Sequence, residues 1–202
     1  MGMYGSLRRV TVADAERLRA DPRVLEWFLF GEPPVVVEER MPGLLGFLLR
    51  FTPIKVQRAE AAPPSDNPLW PPPAAGEQLD LDKAWHGLHF LLTGTADGGA
   101  EPACYLLTGG EALGDNDDMD VRLLRPDQVR ALADHLATLG TDELTRRFDP
   151  ERMMKLRIYP EIWNRPEETD EPRAFLLDAF SELREFVGRV ARDGDAVVVC
   201  IS

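Results

Sequence analysis

The sequence predicts an α+β fold: a helix-rich single domain with a small mixed sheet formed by the N-terminal strand, a middle strand and the C-terminal strand. Three observations carry that expectation. Both chain ends read as strands, residues 3–10 by alternation and 196–201 (AVVVCI) by an unbroken, largely β-branched apolar run. Long segments between them repeat apolar residues at helical spacing, most clearly over 81–92 and 176–190. Only one further strand, 121–124, is legible, so neither chain end can be spared from the sheet.

Each element has its own local reason. After the first strand, Thr11 is placed to cap a helix reaching about Ala20, with Asp14 at the capping-box position. Asp21 followed by Pro22 opens a second helix, RVLEWFLF, which Gly31 stops. Pro42 opens a short apolar helix over 43–51. From Pro53 to Gly76 there are seven prolines, three of them consecutive, and such a stretch sustains neither a helix nor a central strand. It is expected to be a proline-rich loop or insertion, over about 53–78, within one domain spanning 1–202.

Asp80 is the expected cap of the central helix, LDKAWHGLHFLLTG. There Leu81, Ala84, Trp85, Leu88, Leu91 and Leu92 share one broad apolar face, and Gly94 ends it. Trp85 is expected inside the core. Pro102 opens a short helix to Thr108, and Pro126 one that runs to Leu139 before Gly140. Thr141 and Asp149 read as caps of two further short helices. The last helix, 171–192, carries a stripe through Leu176, Phe180, Leu183, Val187 and Val190 and stops at Gly194. The final strand is expected to lie centrally in the sheet.

At 202 residues, with 44% hydrophobic and 29% charged residues, the chain suits a globular domain that needs no disulfide or metal to fold. The 23 Lys and Arg against 35 Asp and Glu give a formal charge of −12. That field has the wrong sign for a nucleic acid or an anionic membrane and the right sign for a basic protein partner. The first residues lack the apolar stretch of a signal peptide, and the longest apolar run, 43–51, is half a membrane span. A cytoplasmic location is expected.

Complete catalytic or cofactor motifs are missing. His86 and His89, three positions apart, could approach one metal from a helix, but no HExxH glutamate and no third ligand accompany them. Both are read as structural, with no metal and no cofactor. Asp115, Asp117, Asp118 and Asp120 fail the calcium-loop pattern, since neither register supplies its glycine or its glutamate. Cys104 and Cys200 form no CxxC pair, and a thiol in a buried strand is inert. GxSxG, GxxxxGK[ST] and GxGxxG are all lacking. Lys83, His86 and His89, with Trp85, Tyr159 and Trp163 as aromatic walls, remain the candidate pocket or interface residues.

Four stretches together are distinctive: MGMYGSLRRV at the start, LDLDKAWHGLHFLLTG at 79–94, RIYPEIW at 157–163 and the ending GDAVVVCIS. With them the chain resembles the YfbM-like family, a bacterial family of unknown function (DUF1877), from Met1 to the C-terminus, with the proline-rich stretch around 60–76 fitting it least. The resemblance implies an α+β fold and no catalytic residues. Lys83, Trp85, His89, Tyr159 and Pro160 match its pattern. Two functional readings follow. The leading one is a non-enzymatic acidic protein that binds a basic partner, a toxin among the candidates by analogy. The alternative is a small-molecule-binding domain or enzyme with a pocket near the 80–94 helix and Ile158-Tyr159-Pro160.

Overall fold

The computed structural model describes residues 2–21, 24–30, 35–40, 54–59, 76–114, 119–165 and 170–202. In chain order the elements are β1 (Gly5–Val10), α1 (Val12–Ala20), α2 (Leu25–Phe30), β2 (Val35–Arg40), β3 (Ile54–Ala59), β4 (Gln78–Asp82) and α3 (Ala84–Thr93). A 3-10 turn (Ala103–Leu106) precedes β5 (Glu111–Ala112), β6 (Asp120–Leu124), α4 (Pro126–Thr138), α5 (Thr141–Arg147), α6 (Pro150–Lys155), α7 (Asp170–Asp193) and β7 (Ala196–Ile201). They form two compact units, Met1–Ala20 with Pro73–Ser202, and Asp21–Pro72.

In the first unit the two chain ends pair directly. β1 and β7 run antiparallel with Leu7 opposite Val199, and the sheet order is β4-β1-β7-β6-β5. β7 is central, as its apolar run implies, and all six of its residues are buried. The expected mixed sheet is instead antiparallel throughout. β7 returns between β1 and β6, which share one direction, so both of its pairings must be antiparallel.

The central helix starts later than the sequence suggests. Residues 78–82 are strand β4, with Leu79 opposite Leu7, and α3 begins at Ala84 with Lys83 at its N-cap. Asp80 does accept a backbone N–H, that of Asp82 at 2.8 Å, but as the turn that ends a strand. The alternation in Gln-Leu-Asp-Leu-Asp was the period-two signal, and ladder bonds to β1 override the helical reading.

Thr141 is the first residue of α5, with Gly140 at the N-cap and no side-chain cap bond, so it does not cap that helix as expected. Three other helix ends form as expected. Thr11 Oγ1 accepts the Asp14 N–H at 3.1 Å and donates to the Asp14 carboxylate at 2.8 Å, closing the first turn of α1. Asp149 caps α6 by accepting the Arg152 N–H at 3.0 Å. Gly94, at φ 74°, ends α3 and returns its N–H to the Phe90 carbonyl. The core joins Leu7, Val197, Val199 and Ile201 of the sheet to α3, α4 and α7, which meet around Leu88, Leu132, Phe180 and Leu183.

The second unit holds α2 and the antiparallel pair β2–β3, in register from Val35 opposite Ala59 to Arg40 opposite Ile54. The helix expected over 43–51 and most of the proline-rich stretch lie outside the described residues; 54–59 within that stretch is strand β3. Among the described residues, no helix is long and apolar enough to cross a membrane.

Candidate functional site

Helix α3 gathers the chemistry-bearing side chains, and its burial decides what they can do. Eight of its ten residues are buried, so it has no broad polar face. Trp85, only 4% exposed, stacks on His86 with ring centres 4.8 Å apart and 6° between planes, and on Tyr159 at 6.0 Å and 23°. β1 crosses Trp85 at Gly5, where a Cβ would lie 2.5 Å from the Trp85 Cβ.

His86 ties this stack to two loops. Its Nε2–H donates to the Ala96 carbonyl at 2.8 Å, and its Nδ1 accepts the Tyr159 N–H at 2.9 Å. One nitrogen donates and the other accepts, which fixes a neutral ring protonated on Nε2. Burial lowers the His86 pKa, against the opposing pull of the Ala96 carbonyl and Asp97. The lone pair a metal would take is therefore held by an amide.

His89 is fully buried, and among the described residues neither ring nitrogen finds a well-formed hydrogen bond. Burial, reinforced by His86, pushes its pKa down to about 4; the nearby Gly98 backbone and Asp97 offset this only in part. Trp163 is also fully buried, donating Nε1–H to the Ile158 carbonyl at 2.7 Å. Tyr159, which precedes a cis proline, accepts the Met3 N–H on its phenol oxygen at 3.1 Å. Lys83 places Nζ 5.7 Å from the centre of the Tyr4 ring. The fold thus brings Trp85, His86 and Tyr159 into one stack, sets Lys83 beside Tyr4, and gives His89 and Trp163 to the core. Burial raises the Cys200 thiol to about 11, which keeps it protonated. Among the described residues no three His, Cys, Asp or Glu side chains converge on a metal position.

The far end of α3 is different. A cleft of about 400 Å³ opens there, lined by the last turn of α3 and by Arg146, Arg147, Asp149 and Arg152. None of the six sequence candidates lines it. A helix C-terminus presents unpaired carbonyls and partial negative charge, and α3 has no basic residue in its last turn. Arginines from α5 and α6 fill that need. Arg147 Nη1 donates to the Leu91 and Leu92 carbonyls at 3.1 and 3.4 Å, and Arg152 Nη2 to the Gly94 carbonyl at 2.9 Å. Glu143 pairs with both Arg146 and Arg147, at 2.5 and 3.0 Å, and their hydrogen bonds hold its carboxyl below the ordinary range. The Arg152 guanidinium also lies 5.7 Å from the centre of the Phe90 ring.

Sequence reading missed these arginines. The available signal was a local reversal of charge: residues 146–157 carry five basic side chains against two acidic ones, in a chain of net charge −12.

Comparison with known proteins agrees with the fold. Residues 1–200 match the model of a family described as a domain of unknown function, DUF1877. Protein YfbM of Escherichia coli strain K12 is 28% identical over 127 residues, covering 61% of this chain and 76% of that protein. The crystal structure of YfbM from Escherichia coli, described as a protein of unknown function, superimposes with a TM-score of 0.65 at 21% identity, over 98% of this chain and 99% of that one. At that identity the superposition speaks for a shared α+β fold, and the match along nearly the whole sequence places this chain in the YfbM-like DUF1877 family.

Proposed function

We propose that this protein is a non-enzymatic small-molecule-binding domain whose ligand seat is the cleft at the C-terminal end of α3. The observation that carries the reading is the cleft itself: about 400 Å³, within the usual range of ligand sites, with arginines positioned by backbone carbonyls. The side chains that suggested chemistry support a non-enzymatic role, because His86 bonds two backbone groups and His89 is sealed in the core. Ligand that binds only the folded state raises the melting temperature. A thermal-shift screen across neutral, cationic and anionic metabolites should return hits that localise to this cleft in soaked crystals. Hits seated elsewhere, or no stabilising compound in any class, overturn the reading.

A second reading rests on the net charge of −12, which favours a basic protein partner. Its test is affinity capture from native lysate at low salt, with a stoichiometric basic protein retained and released by salt as the expected result.

A further inference from the structure

The cleft's charge names the class of its ligand. On the reading that it is a ligand seat, we infer that its occupant presents one oxyanion, a carboxylate or a phosphate group, to Arg152 and Arg146.

Three guanidinium groups and one carboxylate line the cleft in a chain whose net charge is −12. Glu143 answers the charge of Arg146 and Arg147 together. Among the described residues the Arg152 guanidinium meets no carboxylate, although its backbone N–H is capped by Asp149: the side chain reaches the Gly94 carbonyl and the Phe90 ring face. A guanidinium has five N–H donors in a planar fork, and among the described residues only one of these is matched to a protein oxygen. Arg146 has a side chain 68% exposed and pairs through a single carboxylate, so it can turn to share an incoming anion.

Helix capping alone accounts for Arg147, whose Nη1 bonds two carbonyls of α3, but it leaves most of the Arg152 fork unmatched. Forked N–H pairs match the spacing of carboxylate and phosphate oxygens, which a lysine would not do. Asp149 in the lining and Glu143 behind it limit the charge the cleft accepts. A single anionic group on a compact body with an apolar part that can lie near Phe90 fits. A polyanion such as a nucleic acid is repelled by the rest of the chain.

The test titrates the protein at fixed ionic strength with benzoate, phenyl phosphate and inorganic phosphate, and with benzamide as the neutral match of benzoate. Binding by benzoate or phenyl phosphate, at least tenfold tighter than by benzamide, is expected; which of the two binds tells a carboxylate ligand from a phosphate one. Arg152→Gln should weaken binding at least tenfold and Arg152→Lys should restore part of it. Arg146→Gln should weaken it less, and Arg130→Gln on α4 should have no effect. Melting temperatures of the variants confirm that each is folded. Benzamide binding as well as benzoate, with Arg152→Gln silent, overturns the anion inference and leaves the ligand seat standing. No binding by any probe, anionic or neutral, overturns both.

Discussion

His86 Nδ1 accepts the backbone N–H of Tyr159 at 2.9 Å, across 73 positions of sequence. The same ring donates to the Ala96 carbonyl and stacks on Trp85, so one neutral imidazole holds α3, the loop after it and the segment before Pro160 in a fixed relation. Its role is positional, and that makes it testable by stability.

His86→Ala should cost about 2–4 kcal/mol, because it strips partners from an amide and a carbonyl and removes the stacked ring. The urea midpoint measures it. A midpoint within experimental error of wild type would remove the strut role.

Acid should destabilise the protein through His86 and His89, the two neutral histidines of α3. Both have folded pKa values depressed below 6.5, that of His89 to about 4, so the unfolded chain binds protons that the folded chain refuses. The stability is complete above pH 6.5 and is lost as pH falls from there toward 4, by at most about 3 kcal/mol for His89. His89→Leu, which cannot titrate, should show a flatter fall between pH 7 and 4.5 in the same urea series. Parallel curves for the two proteins contradict the assignment.

Trp85 separates packing from polarity. Trp85→Ala should cost roughly 3–5 kcal/mol as a buried ring is lost and a cavity remains. Trp85→Phe should cost under about 1.5 kcal/mol, since a ring is retained and the indole N–H that disappears has no hydrogen-bond partner among the described residues. A phenylalanine variant as damaged as the alanine one, in thermal melts, would falsify this account.

Gly5→Ala should lower the melting temperature. The new methyl would sit 2.5 Å from the Trp85 Cβ, and since each Cβ is fixed to its own backbone something must shift, at an irregular step of the β1–β4 register. Overpacking of this kind costs about 1–3 kcal/mol, or roughly 2–4 °C per kcal/mol in a domain of this size. An unchanged melting temperature would show that β1 can move off α3.

Much of the fold was legible because its signals are local. The β-branched run at 196–201 announced a buried strand, and Thr11, Asp149 and Gly94 announced helix ends through bonds made within a few residues. β4 was misread because Asp80 accepts a nearby amide in either structure, and only the ladder to β1 decides between them. Trp85, His86 and Tyr159 were legible as a group of interest, but what joins them was not.

By itself the sequence determined the α+β class, the pairing-competent chain ends, the amphipathic helices and the acidic charge, all of which depend on residue type and spacing along the chain. The tertiary structure alone decided that the sheet is antiparallel, that His86 is a strut, that His89 is sealed in the core, and that Arg146, Arg147 and Arg152 meet at the end of α3. Those outcomes depend on contacts between distant residues, such as the 58 positions separating Arg152 from Gly94. A periodic pattern can say which face of a helix turns inward. It carries no information about which carbonyl or which guanidinium will be waiting there.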